Sequence, residues 1–419
     1  MRKICVILIL GLFSLSLSAQ IVADHTVVDL YDDIPQQYID NVKTMLVSIP
    51  GESHSLGYRI GMLLLEEIDS NYPVDNYSIE TPPAATTQNV RFGRHRVAGE
   101  DIFFSQSGIA EIKSEISDQN ATGNPFHVMG FGWCWDMTDG DAPGGGVDPV
   151  YQVRWAGRSE GSPSGSMRWG LDSDDQALTG NSVSMDTYLE AVDSFIQFCE
   201  DNSYPTKWIF TTGPVDKSSQ AGSENGFQRE IKHEYIREHV AKDPSRILFD
   251  YADILCWSNT GEQHVTDWND DGTIRPHVQI HPDNMMDYDD SWNPIGHTED
   301  GDHIGEVGTV RLAKAMWWML ARISGWDPGT TSIESDDDND FLQSNISLIV
   351  EPMQLKVSTS SVFDQGDLSL IDLNGRLIET TSIRGNQTVI NTSALSAGSY
   401  VVMVSKGKQR ESRKVVILP

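Results

Sequence analysis

The sequence predicts a three-layer α/β sandwich on a mainly parallel sheet, followed by a small all-β sandwich. Between about residues 40 and 326, short apolar runs alternate with amphipathic helical stretches, the pattern of a parallel sheet covered on both faces. An acidic stretch without apolar periodicity then intervenes, and beyond it short alternating runs separated by turns replace the helices. The composition is compatible: 419 residues, 39% hydrophobic and 22% charged, suit a globular chain of roughly two or three domains. They exclude disordered, collagenous and multi-span membrane classes.

Residues 1–19 place Arg2 and Lys3 before an apolar run ending near Leu17, then small residues up to Ala19, which reads as a cleaved secretory signal peptide. No transmembrane anchor is expected, because that run is short for a bilayer and no cysteine follows Ala19 to accept a lipid. The body, residues 20–328, begins its pattern with a buried strand at 45–49. Leu56, Ile60, Leu63 and Leu64 then recur at helical spacing. A helix near 109–116 and a strand near 127–131 come next. Leu189, Val192, Ile196 and Cys199 form a second helical face, before a strand at 207–211, a helix near 228–240 and a strand at 247–250. Leu312, Met316, Met319, Leu320 and Ile323 share one stripe of a last helix, which Gly325 is placed to cap.

Residues 329–345 form an acidic linker, its run from Asp336 to Asp340 read as a solvated spacer. Residues 346–419 supply strands near 368–373, 376–380, 388–391, 400–404 and 415–418. Asn374-Gly375 joins the first two as a hairpin turn, since both residues tolerate positive φ.

The net charge of −31 is unevenly spread: residues 20–345 carry 20 basic and 55 acidic side chains, residues 346–419 carry 8 and 6. So acidic a body repels phosphate backbones, which excludes nucleic acid as a partner. Cys5 leaves with the signal, and Cys134, Cys199 and Cys256 allow at most one internal disulfide.

Chemistry concentrates in two places. Gly51-Glu52-Ser53-His54-Ser55 follows the first strand and precedes the first helix, where parallel sheets display their ligand-binding groups. Ser53 is the candidate nucleophile, and Ser55 the candidate cap of the helix from Leu56. Asp300-Gly301-Asp302-His303 stands ahead of the last helix. A carboxylate three residues before a histidine can turn back onto the ring, fix its tautomer and stabilise the imidazolium formed when it takes a serine proton.

Together these residues resemble the SGNH hydrolase superfamily, the GDSL-type esterases, over roughly residues 40–326. Its Gly-Asp-Ser motif is similar to Gly51-Glu52-Ser53, with Glu replacing Asp, and its Asp-x-x-His to Asp300–His303. The resemblance implies Ser53 as nucleophile, His303 as base and Asp300 as the carboxylate that orients it, with no organic cofactor and no metal. It also implies the amide of Gly108, in Ser107-Gly108, as an oxyanion donor, with Gly93 and Gly99 as rival positions. The third block departs from the family: Gly130-Phe131-Gly132-Trp133-Cys134-Trp135-Asp136 lacks the asparagine, and aligning Gly132 puts Cys134 at the donor position. Trp133-Cys134, Thr212-Gly213 and Asp250-Tyr251-Ala252-Asp253 resemble an uncharacterised bacterial branch of the same superfamily.

In the tail, Asp372-Leu373-Asn374-Gly375, Leu395-Ser396-Ala397-Gly398-Ser399-Tyr400 and Lys414-Val415-Val416 resemble the C-terminal sorting domain of the Bacteroidetes type IX secretion system. This implies the type IX machinery as a partner, export across the outer membrane, and a secreted or cell-surface location.

Other groupings are weaker. His277, His281, His297 and His303 crowd together with Asp283, Asp287, Asp300 and Asp302 but lack tight metal-ligand spacing. Asp267 to Gly272 copies the opening of a calcium loop, yet Val278 occupies the closing position, so a polar turn is expected. Trp317 and Trp318 read as core. Trp155, Trp169, Trp257, Trp268 and Trp292 fall in loops, where stacking on sugar rings and burial are equally open. The expectation is a secreted serine esterase removing acyl groups, acetyl foremost, from an acylated glycan, either a polysaccharide or a glycoconjugate. A lipase or polyester esterase and a non-catalytic carbohydrate-binding protein are the alternatives.

Overall fold

In the body's strands, successive side chains alternate between two apolar layers. Val47, Val128, Ile209 and Phe249 join one core cluster, while Leu46, Met129, Trp208, Phe210 and Leu248 join another. A strand buried on both faces is what a parallel sheet between helices requires. The computed structural model describes residues 20–328 and 346–417. Left out within these are 52–53, 79–80, 96–100, 134–147, 149, 151–168, 180–182, 216–222, 289–293, 296–303, 352–353, 360–362, 373–376, 386, 393–394, 396–397 and 407–408. The signal and linker segments, 1–19 and 329–345, lie outside the described residues. The chain divides into two compact units, 1–331 and 332–419.

The sheet of the first unit contains β1 (Val22–Ala23), β2 (Leu46–Ser48), β3 (Val74–Ser78), β4 (Val90–Arg94), β5 (Val128–Met129), β6 (Lys207–Trp208), β7 (Phe210–Thr211) and β8 (Leu248–Phe249). β6 and β7 are one strand interrupted at Ile209: the Ile209 amide donates to the Met129 carbonyl at 2.8 Å and the Phe210 amide to the Ile247 carbonyl at 2.9 Å. The order is therefore β3-β4-β2-β5-β6/β7-β8-β1, and every pairing is parallel. The chain extends from β2 to β3 and β4 on one side, then returns to add β5 and its successors on the other. The direction of building reverses between β2 and β5, which is where an open parallel sheet leaves a crevice at its carboxyl edge.

Helices α1 (Gln36–Lys43), α2 (Ser55–Ile68), α7 (Tyr251–Cys256) and α8 (Glu306–Ile323) bury their apolar residues in one layer. α3 (Asp101–Phe104), α4 (Gln106–Ala121), α5 (Met185–Asp201) and α6 (Ser223–Ala241) line the other. The mixed α/β class and parallel sheet expected from the sequence are present. α8 ends as Gly325 suggested: its φ is +104°, Trp326 N–H donates to the Ala321 carbonyl and Gly325 N–H to that of Arg322, a Schellman closure.

Several elements escaped the sequence reading for physical reasons. β4 buries Arg91, whose guanidinium donates to Asn124 Oδ1 (2.6 Å) and to the carbonyls of Thr44 (2.5 Å) and Pro83 (3.3 Å), so a charged residue interrupts an apolar run. β3 is a polar edge strand, and β1 is only two residues long. Asp267 to Gly272 belongs to an antiparallel hairpin of β9 (Val265–Asp270) and β10 (Thr273–Val278). Its turn uses positive φ at Asp271 (48°) and Gly272 (95°), and Asn269 Oδ1 accepts from Gly272 N–H. Ser55 is not a cap: it is the first residue of α2, after His54, which makes no side-chain cap bond. Cys199 and Cys256 are buried free thiols in opposite layers, and Cys134 lies outside the described residues. No helix among the described residues is long and apolar enough to cross a membrane.

Among its described residues the second unit has two antiparallel sheets. One pairs β11 (Ile346–Glu351), β12 (Gln354–Thr359) and β15 (Gln387–Asn391). The other runs β14 (Leu377–Ser382), β13 (Asp367–Asp372), β16 (Gly398–Lys406), β17 (Gln409–Ile417). Leu355, Val357 and Ile390 from the first meet Leu368, Leu370, Val402 and Val404 from the second in one core.

Candidate functional site

At the switch point, β2 and β5 stay paired beyond their regular ends. Gly130 N–H donates to the Ser48 carbonyl at 3.2 Å, Gly132 N–H to that of Pro50 at 2.9 Å, and Gly51 bridges Gly132. The approach leaves no space for side chains. A Cβ on Gly51, whose φ is +140°, would lie 2.1 Å from the Gly132 carbonyl oxygen, and one on Gly132 would lie 2.3 Å from Ser55 Cβ. Glycine at both positions lets the loop after β2 press against the loop after β5.

Of the residues singled out in the sequence, Ser53, Asp300 and His303 lie outside the described residues, as do Gly99, His297, Trp155 and Trp292. Their described neighbours converge. His54 and Ser55 open α2 and are buried; Ile304 and Gly305 lead into α8. The two helices lie side by side in the same sense: a Cβ on Gly57 would meet Ile304 Cδ1 at 2.7 Å, and one on Gly61 the Thr309 carbonyl oxygen at 2.0 Å. Both therefore begin at the carboxyl edge of the sheet. His54 stands edge-on to Tyr251, which begins the helix after β8. Ser55 Oγ is buried with no hydrogen-bond partner among the described residues, which withdraws Ser55 from any solvent-borne substrate in this conformation.

Gly108 is in the first turn of α4, where its amide donates to Ser105 Oγ at 2.8 Å, the bond that caps the helix. Gly93 lies in β4, and its carbonyl accepts from Ile49 N–H. Trp169 and Trp268 are buried, so packing engages their faces. Trp257 stacks on His25, its centroid 4.0 Å away.

The motifs of the middle segment do meet. Thr212 Oγ1 donates to Asp250 Oδ1 (2.9 Å) and accepts from Ala252 N–H (2.9 Å). Thr211 Oγ1 donates to the Phe131 carbonyl at 2.7 Å, and Trp133 Nε1 donates to the Thr211 carbonyl at 3.1 Å. Asp250 is clamped by Arg237 through Nε at 2.6 Å and Nη2 at 2.8 Å. Burial pushes the Asp250 carboxyl up, but the facing Arg237 guanidinium and the hydrogen bonds around it outweigh burial and hold it below the usual carboxylate value. Gly213 N–H donates to His233 Nε2, and burial, reinforced by the nearby Arg237, Arg229 and Lys232 charges, keeps that imidazole far below its ordinary value. Arg237 left no sign in the sequence: it is one arginine on a helix, and only the fold brings it to Asp250.

Residues 351–418 match the family of secretion system C-terminal sorting domains, which meets the expectation of a type IX sorting tail. This domain marks the chain for export across the outer membrane by the type IX machinery. No curated protein matches the chain. Among solved structures, the chain aligns over 96% of its length with 98% of an engineered protein, Northeast Structural Genomics Consortium Target OR128, at 9% identity and a TM-score of 0.22. It aligns over 90% with 98% of an endo-β-1,4-mannanase from Thermotoga petrophila, at 10% identity and a TM-score of 0.17. A Cellulomonas fimi endo-β-1,4-mannanase double mutant is covered completely by 96% of this chain, at 10% identity and a TM-score of 0.15. Likenesses this distant say nothing about fold or activity.

Proposed function

We propose that the body is a serine ester hydrolase of the SGNH type that removes acyl groups, acetyl foremost, from a polysaccharide or glycoconjugate outside the cell. The observation that carries this reading is the Gly51–Gly132 contact at the switch point. It holds Gly51, two residues before Ser53 in the chain, against the loop after β5 at the edge where parallel sheets bind ligands. The adjacent starts of α2 and α8 add support, because His54 and Ile304 directly follow Ser53 and His303 in the chain.

In this reading Ser53 attacks the ester carbonyl while His303 takes its proton and delivers it to the departing sugar oxygen, and a water deprotonated by the same imidazole then releases the acyl group from Ser53 as the free acid. Asp300 holds the imidazole in the tautomer that permits this. The oxyanion forms against backbone amides, first that of Ser53. Gly108 contributes only if its amide gives up the cap bond to Ser105. That commitment, with the missing third-block asparagine, favours a second reading in which the body binds glycans without turnover.

The mature chain incubated with p-nitrophenyl acetate and acetylated polysaccharides separates them. Acetate release abolished by both Ser53→Ala and His303→Ala is expected. Glycan binding without turnover would establish the second reading, and turnover surviving in Ser53→Ala would displace the triad. A preference for long acyl chains over acetyl would point to the lipase alternative.

A further inference from the structure

β1 and β8 pair in parallel, Val22 with Leu248 and Ala23 with Phe249, so the residues that follow them emerge together at the carboxyl edge. Asp24 and His25 leave β1, and Asp253 sits in α7 directly after β8. One oxygen from each carboxylate and one ring nitrogen of His25 all lie within 4.8 Å of one another. Metal–ligand bonds of ~2.0–2.2 Å put two ligands no more than about 4.4 Å apart, so donors within 4.8 Å need to close by only a few tenths of an ångström to share one ion.

The donors are held and available. His25 Nδ1 is 2.5 Å from Asp253 Oδ2, the His25 amide donates to the same oxygen at 2.9 Å, and the ring stacks on Trp257 at an interplanar angle of 10°. Trp257 Nε1 in turn donates to Asp253 Oδ1 at 3.3 Å. Asp24 caps the following 3-10 turn, but Thr26 N–H and Thr26 Oγ1 both donate to its Oδ1, so the cap does not use Oδ2. A cap explains one oxygen of Asp24. It does not explain why a histidine and a second aspartate converge on it.

A cavity of about 390 Å³ opens onto the cluster, and Glu230, Glu234 and Asp250 also line it. Arg237 and His25 are the only basic side chains among the described residues that line it. Arg237 is already engaged by Asp250 and Glu234, so carboxylates dominate the lining. A negatively charged recess ending in two carboxylates and an imidazole suits a small divalent cation. The nitrogen donor selects a transition metal over calcium, which takes oxygen ligands.

We infer that Asp24, His25 and Asp253 form a binding site for a divalent transition metal of the zinc type. The ion takes the place of the proton between Nδ1 and Asp253 Oδ2, and the neutral ring, ligating through Nδ1, carries its proton on Nε2. Two ligands of one tetrahedral zinc stand ~3.3 Å apart, so Nδ1 and Oδ2 separate by less than about 1 Å. Bound there, the metal fastens the first strand of the mature chain to β8 and α7. The assignment does not depend on the esterase reading, which concerns the β2–β5 crevice.

The test uses the full mature chain, stripped with EDTA and titrated with zinc chloride by calorimetry, beside His25→Gln and Asp253→Asn. One zinc per chain is expected, with a melting temperature several degrees higher and affinity reduced at least tenfold in each variant. No stoichiometric zinc, or zinc bound equally well by both variants, overturns the assignment. If a variant fails to fold, cobalt chloride added to the wild-type chain decides: a visible absorption band typical of four-coordinate cobalt supports the site, and its absence overturns it.

Discussion

At Gly132 the fold tolerates no side chain, since a Cβ would overlap Ser55 at 2.3 Å and no flexible side-chain end is there to yield. Gly132→Ala should destabilise the body by about 2–3 kcal/mol through overpacking, read as a lowered urea midpoint at unchanged slope. Gly51→Ala adds backbone strain to the same contact, because its φ of +140° is foreign to L side chains. Only part of this could be seen in the sequence. Gly51 stands out because it precedes Ser53 after a strand, and Gly132 because it aligns with the third-block glycine, but the contact between them joins residues more than seventy positions apart and has no local signal. Ser55 shows the limit from the other side: a serine before an apolar helix reads as a cap, yet the helix begins one residue earlier and buries the hydroxyl. The body's candidate site was thus legible as positions around a loop, not as contacts.

Among the elements, α8 was the most legible, because Leu312, Met316, Met319 and Leu320 bury one stripe and Gly325 closes it. α6 is legible as a helix near 228–240, but not in the face that it buries. It buries Asn225, Gln228, Arg229, Lys232 and His233 at helical spacing before Ile236 and Val240 resume an apolar face, so its inward side reads in sequence as its outward one. Burial is the main force on Lys232 and pulls its ammonium down to about 7 against the opposing charge of Asp175. Between that value and the ordinary one near 10.5, the unfolded chain holds a proton that the folded chain has released. Stability therefore rises with pH across that window. Chemical denaturation between pH 7 and pH 10 should show the rise in the wild type and a flatter profile in Lys232→Met; parallel profiles would place the charge of Lys232 elsewhere. β3 and β4 were hidden for a related reason, since Arg91 and a polar edge interrupt the alternation that marks a strand.

On the scale of the whole molecule, the chain joins a strongly acidic α/β unit to a small β sandwich that serves export. The tail was read from its motifs more fully than the body. Its signals are local, a turn dipeptide and strands of alternating pattern, while the body's parallel strands depend on partners far away in sequence. β11 and β12, the two strands directly after the linker, are absent from that reading. Removing residues 346–419 should leave the protein inside the native cell. Immunoblotting of cell and medium fractions checks this, and unchanged export of the truncated chain would contradict the role of the tail.

The central claim concerns the body, that the turn after β2 displays a nucleophilic serine. Incubating the mature chain with a fluorophosphonate and locating the adduct by peptide mass spectrometry tests it most directly. The account predicts a single adduct on Ser53, slowed in His303→Ala and absent in Ser53→Ala. An unlabelled chain, or an adduct on another serine, would contradict it.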